Sequence, residues 1–150
     1  MVKKIRQALK NEKGLTLVEL LAVVVILGII SAIAIPSIGG LINNSKKDAH
    51  IANAQQMVNQ AKFAITSGEY TESDNVTTIT LGALVDDGFL ESVKDPSTET
   101  GYDETKSLVT VTKGADGKYT YTVTLTNGGV TPYISDKDPF EISRKDVTLP

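Results

Sequence analysis

Few side chains in this chain are placed to do chemistry, and one of them sits in an apolar run. Residues 13–30 read KGLTLVELLAVVVILGII, and twelve of these eighteen are Leu, Val or Ile. Glu19 interrupts the run. A charge at a bilayer centre costs roughly 2.5–3.5 kcal/mol on insertion scales, so an intramembrane carboxylate calls for a partner. No Lys, Arg or His lies between 14 and 45 to serve as one. Elsewhere the chemistry is sparse. His50 is the only histidine and there is no cysteine. Thiolate metal sites, Cys nucleophiles, disulfides and a lipid anchor on Cys are therefore excluded. A Ser-His-Asp triad is the one histidine-based option, and no nucleophile motif supports it. The residues around His50 place it on a solvated helix face. Gly114-Ala115-Asp116-Gly117 is a hairpin turn rather than a phosphate loop. Tyr102, Tyr119, Tyr121 and Tyr133 could stack bases, but their acidic, strand-like surroundings favour packing.

The elements that must position Glu19 follow from charge and hydropathy. Residues 1–14 hold five basic residues against one acidic, a net of +4, while the whole chain of 150 residues is at −3. A basic tip before an apolar segment keeps that end in the cytoplasm. The remainder is acidic and a poor stand-alone binder of phosphate backbones. From Leu20 to Ser45 there is no charge, and a spanning helix needs ~20 residues. The run is read as a membrane anchor, as a signal peptide with Ala32-Ile33-Ala34 as a small-residue cleavage site, or as a buried core helix. The last is disfavoured by its apolarity in so small a chain. An ordinary signal peptide gains nothing from Glu19.

Lys13-Gly14-Leu15-Thr16-Leu17-Val18-Glu19 resembles the prepilin motif of type IV pilins and pseudopilins: a short basic leader, Gly, an apolar residue, Thr-Leu-(Val/Ile/Met)-Glu, then an apolar helix. The family's usual Phe is Leu15 here. The likeness covers roughly residues 1–45; Gly28 and Pro36 also fall where such helices carry Gly and Pro. It implies a leader over 1–14, cleavage between Gly14 and Leu15 by a membrane prepilin peptidase, and N-methylation of Leu15 by the same enzyme. Partners implied are other copies of the chain and other pilins, an inner-membrane platform protein, an assembly ATPase and, before assembly, membrane lipid. Cleavage also supplies the partner that Glu19 lacks. The new α-amine of Leu15 lies a turn away at (i, i+4), or the amine of a neighbouring subunit meets Glu19 in a fibre. Because an unpaired buried charge is costly, Glu19 would then set register. The alternative is a lone lipid-facing carboxyl.

The rest of the chain reads as a helix and a sheet. Pro36 and Gly39-Gly40 predict a kink or unwound segment at about 32–41. The hydrophobic part spans 15–45. Over 46–68 the helix turns amphipathic, with Ile51, Ala54, Val58, Ala61 and Ile65 on one face and Ser67-Gly68 as its stop. A globular part, 69–150, opens on a polar loop at 69–77. Thr80 caps a short helix that ends at Gly88. That segment, Leu81-x-x-Leu84-Val85-x-x-Gly88-Phe89-Leu90, is similar to one in Gram-positive pilins and competence pseudopilins. Residues 107–113 and 118–126 alternate in period two and form a β-hairpin. Residues 130–135 are a third strand, at an edge because of Pro132. The tail 136–150 has no strong periodicity. The fold class is α+β: a long N-terminal helix, transmembrane then amphipathic, packed on a small antiparallel β-sheet.

The function that follows is structural, not enzymatic: a prepilin subunit of a bacterial type IV pilus or pseudopilus, in the cytoplasmic membrane with its N-terminus inside, then in a surface fibre. Adhesion or motility, competence for DNA uptake, and type II secretion remain open within that class. No cofactor is called for. Calcium, which some secretion pseudopilins hold near the C-terminus, would have to use Asp136, Asp138 and Asp146, but calcium wants six to eight oxygens in a shaped loop. The rival from another class is a secreted soluble binding domain with an ordinary signal peptide.

Overall fold

The computed structural model describes residues 16–70 and 76–149. Its elements are α1 (Val2–Thr66), β1 (Val76–Thr80), α2 (Leu81–Asp86), β2 (Leu108–Lys113), β3 (Tyr119–Leu125), β4 (Ile134–Lys137) and a 3-10 turn at Arg144–Asp146. The four strands form one antiparallel sheet in the order β1-β2-β3-β4. The class is α+β. The chain divides into two compact units, Met1–Ile42 and Asn43–Pro150, and α1 contributes to both.

In the first unit Leu and Ala favour a helix, while Gly28 and the β-branched Val and Ile each disfavour it by about 1 kcal/mol or less, so Pro36 is the first strong opponent. A proline removes one backbone donor and crowds the carbonyl four residues back. Residues 32–41 nevertheless stay helical throughout, and the unwound segment expected there is absent. One missing bond in a long helix is tolerated when the bonds on both sides remain.

In the second unit, Ala54, Met57, Val58, Ala61 and Ala64 of α1 are buried with Ile79, Leu84, Val109, Val111, Val123, Leu125 and Ile134. The helical period of the first set and the alternation of the strands meet in one core. Small residues on α1 let the helix sit close to the β-branched sheet face. The helix stops at Gly68, which takes φ of 82°. Glu69 N–H donates to Ala64 O and Gly68 N–H to Ile65 O, the paired C-terminal bonds that satisfy otherwise orphaned carbonyls. The hairpin lies as expected, with Lys113 opposite Tyr119 and Gly117 at φ 79° in its turn.

Three features differ from the sequence reading. First, the segment entering α2 is not all loop, because Val76–Thr80 pairs with β2. Only Ile79 of β1 is buried, so alternation was too weak to reveal it. Thr80 ends β1 and also caps α2, its hydroxyl accepting from Ala83 N–H at 3.2 Å. Second, the edge strand begins at Ile134, after Pro132, with a register irregularity between Val123 and Leu125. Third, the tail is tied down. Val147 is buried, Thr148 N–H donates to Tyr133 O, and Arg144 grips Asp48 with two bonds of 2.6 Å.

Leu84 has no exposed surface. Leu84→Ala should lower stability by about 2–5 kcal/mol through lost burial and a residual cavity. Val130→Ala, at a fully exposed position, should change it by less than about 0.5 kcal/mol. Denaturant unfolding of the detergent-solubilised chain measures both.

Candidate functional site

Glu19 lies on α1 among exposed neighbours. Every Leu, Val and Ile from Leu17 to Ile42 is exposed, with Leu17 at 69% and Ile33 at 71%. A soluble chain does not leave so continuous an apolar surface bare. The helix over Thr16–Thr66 is long and apolar enough to cross a bilayer. In hydrocarbon a helix satisfies its own backbone, so only side chains need outside partners. Among the described residues Glu19 has no side-chain partner. Gly14 and Leu15 lie outside the described residues. Their spacing to Glu19 therefore rests on sequence, and Pro36 stands inside the same helix.

The second unit holds a buried polar cluster that the sequence reading misplaced. His50 is not on a solvated face; it has no exposed surface. Its Nδ1 lies 2.8 Å from the Tyr102 hydroxyl and its Nε2 2.9 Å from Ser97 Oγ. Asn53 donates to the same Tyr102 oxygen at 3.0 Å, so the Tyr102 hydrogen is directed to Nδ1. Neutral His50 then carries its hydrogen on Nε2 and donates it to Ser97. The ring stacks on Tyr133 with centroids 4.0 Å apart. Tyr133 donates to Asp95 Oδ2 at 2.6 Å and accepts from Asn127 at 2.8 Å. Asp95, also without exposed surface, accepts from Ser97 N–H at 2.7 Å. This cluster ties α1, the 95–102 loop and the approach to β4 together. A signal for it was present: His50 precedes Ala54, Met57, Ala61 and Ala64 at helical spacing and so continues the buried stripe.

The cluster perturbs its own ionisable groups. Burial lowers the His50 pKa below the usual 6.5, Asp95 opposes this, and Lys46 adds to it. Burial would raise Asp95, but the Tyr133 hydroxyl, the Ser97 N–H, Thr98 and His50 together hold it below 3.8. Burial is the leading cause that raises the Tyr102 and Tyr133 hydroxyls. Ser97 Oγ lies against His50 Nε2, but as the acceptor of its hydrogen, and Nδ1 accepts from Tyr102, so neither ring nitrogen is left as a base to take the Ser97 proton. The arrangement supports packing, not catalysis.

The aspartates considered for calcium are engaged separately. Asp138 accepts from Phe140 N–H at 2.9 Å, Asp146 from Ser143 N–H at 2.9 Å, and Asp136 from Thr122. Among the described residues no three acidic or histidine groups converge to hold a metal. An open cleft of about 270 Å³ is lined by Asn127, Val130, Thr131, Tyr133 and Thr148, without a convergent set of charged groups.

Residues 9–35 match the family described as the prokaryotic N-terminal methylation motif. No solved structure matches the chain. The matched span contains Gly14, Leu15, Glu19 and most of the exposed apolar helix. The chain thus carries the motif of type IV pilin- and pseudopilin-like prepilins, which indicates a structural subunit rather than an enzyme; the motif and the apolar helix suggest membrane anchoring, and the motif implies prepilin-peptidase processing and oligomerisation.

The His50 cluster makes stability depend on pH. Below about 6.5 the unfolded chain takes up a proton that the folded chain refuses, so the unfolded state binds more protons and stability falls with pH. The loss begins as pH drops through 6.5 and continues to the lowered folded value. The Asp95 contribution is present above 3.8 and is lost only below it. The chain should therefore unfold at lower denaturant at pH 5.5 than at pH 7.5. His50→Gln should be less stable at both and show little difference between them.

Proposed function

We propose that this chain is the prepilin of a bacterial type IV pilus or pseudopilus, cleaved between Gly14 and Leu15, N-methylated at Leu15 and assembled through its apolar helix. The observation that carries the reading is the motif match over 9–35, falling on a helix whose apolar side chains from Leu17 to Ile42 are exposed among the described residues. The basic tip holds residues 1–14 in the cytoplasm, and the second unit emerges on the outer face. In the membrane the cover is lipid; in the fibre it is the helices of other subunits. Glu19 pairs with the methylated amine of Leu15, its own or a neighbour's, so that subunits one step out of register leave two charges bare in a dry environment. Pro36 is a bend point for fitting the helix into the fibre.

Within that class we favour a competence pseudopilus of a Gram-positive cell. The support is the likeness of the segment from Leu81 to Leu90 to one in Gram-positive pilins and competence pseudopilins; here it forms α2 with its cap at Thr80 and its stop at Gly88, where φ is 77°. The platform protein and assembly ATPase are the machinery partners. The acidic body argues against direct nucleic-acid contact by this subunit. Deletion of the gene should abolish transformation and leave protein secretion unchanged; the reverse result assigns the secretion role.

Intact mass and N-terminal sequencing of the protein from its native envelope test the reading. The expected chain starts at Leu15 and is heavier by one methyl group. A chain starting at Ile35 would mean an ordinary signal peptide and a secreted soluble domain, and the proposal would be lost. Glu19→Ala should leave membrane insertion intact and abolish incorporation into fibres; normal fibres from that variant would refute the pairing.

A further inference from the structure

The second unit exposes an aromatic patch where α1 ends. Phe63 is 61% exposed, although it belongs to the helix that supplies the core. Its ring meets Phe89 edge-on at 5.9 Å, and Phe89 lies 6.5 Å from Tyr70. The Tyr70 hydroxyl donates to Asp87. Burial, the bond to Asp87 and the charges of Asp87, Glu69 and Asp86 push the Tyr70 pKa up to about 12. Every charged group acting on Tyr70 is a carboxylate. The patch is thus the exposed Phe63 ring beside the half-buried rings of Phe89 and Tyr70, with the carboxylates of Glu69, Asp86 and Asp87 near it.

The other end of α1 within this unit has the opposite character. Lys46 and Lys47 begin it, and Lys47 Nζ donates to Arg144 O at 2.9 Å. That bond and the Arg144–Asp48 pair fix the turn Arg144–Asp146 beside them, which brings Lys145 to the same end. This end carries Lys46, Lys47, Arg144 and Lys145 against Asp48 and Asp146, so the excess charge is positive. From Lys47 to Phe63 the helix rises about 24 Å. One face is acidic and aromatic, and the face a helix-length away is basic.

We propose that these two ends dock on each other between successive copies of the chain, the basic end of one subunit seated on the Phe63–Phe89–Tyr70 patch of the next. This rests on the fibre reading above. The occupant is a second copy because the complementary charge is carried by the chain itself, at the opposite end of the same unit. Lysine stems cover aromatic faces while their ammonium groups reach the carboxylate rim. A contact between two different surfaces of identical subunits is heterologous and propagates as an open series instead of closing as a dimer.

The chain has no cysteine, so introduced pairs report the contact directly. The experiment uses the full-length chain in the envelope of cells whose wild-type subunit has been shown to start at Leu15. Lys145→Cys combined with Asp86→Cys should give, on mild oxidation, a series of dimers, trimers and higher species. Each single variant should stay monomeric. Dimers from either single variant would mean like meets like and would overturn the proposal, as would the absence of any series in fibres that form normally. Glu69→Lys with Asp86→Lys should cut incorporation roughly tenfold or more by setting like charges together. Adding Lys46→Glu and Lys145→Glu should restore it, an outcome that misfolding of either pair would not produce. Failure of restoration with both pairs stably expressed also overturns the proposal. A chain uncut at Gly14 would instead remove the fibre reading itself, a result distinguishable from all of these.

Discussion

The constraint on which the rest depends is an apolar helix that this chain does not cover for itself. The backbone of α1 is self-satisfied, as any segment in hydrocarbon must be, but its Leu, Val and Ile side chains from Leu17 to Ile42 are exposed. Hydrophobic cost scales with the area left in water. Lipid or other helices have to supply the cover. A carboxylate within such a surface adds direction to what is otherwise greasy contact. Apolar packing alone tolerates axial slips, whereas a charge that must find an opposite charge does not.

The second unit solves a different problem. It builds a stable body from few aromatics and no disulfides, with a small core, and it gains definition from polar groups inside. His50, Tyr102, Asn53, Ser97, Asp95 and Tyr133 form a closed set in which nearly every donor has an acceptor. Such sets contribute less to stability than apolar packing of equal volume, but alternative arrangements leave a buried group unpaired and are expensive. The cluster joins α1 to loops far along the chain. The orientation of α1 against its sheet is then fixed by geometry that grease alone would not specify.

What could be read from the sequence follows from whether the signal was local. The hairpin of β2 and β3 was legible because alternation and a Gly-containing turn lie within twenty residues of each other. The helix stop at Gly68 and the Thr80 cap were legible for the same reason. Glu19 stood out because one charge in an apolar run is visible without any fold. β1 was hidden, since it buries only Ile79 and gains its order from β2, some thirty residues on. The edge strand slipped because Pro132 was allotted to it, when the proline in fact precedes it. His50 was misjudged because its partners, Ser97, Tyr102 and Tyr133, are brought to it only by the tertiary fold. A polar residue on a helix looks solvated until its partners are known, and only its place in the buried period hinted otherwise.

The two units thus divide the work of specificity. In the first, the proposed pairing of Glu19 would let one charge set register along an otherwise uniformly apolar surface, because a dry environment makes an unpaired charge costly. In the second, single exposed charges are weak, about 0–1 kcal/mol for a pair, so register there has to come from several charges together with shape. The aromatic patch at Phe63 supplies the shape and the carboxylates around it the sign. A helix that resists slipping at Glu19 and a body that resists rotation at its ends constrain different degrees of freedom. Neither device alone would determine how one subunit is placed on the next; under the proposed contacts the first would constrain the axial step and the second the turn.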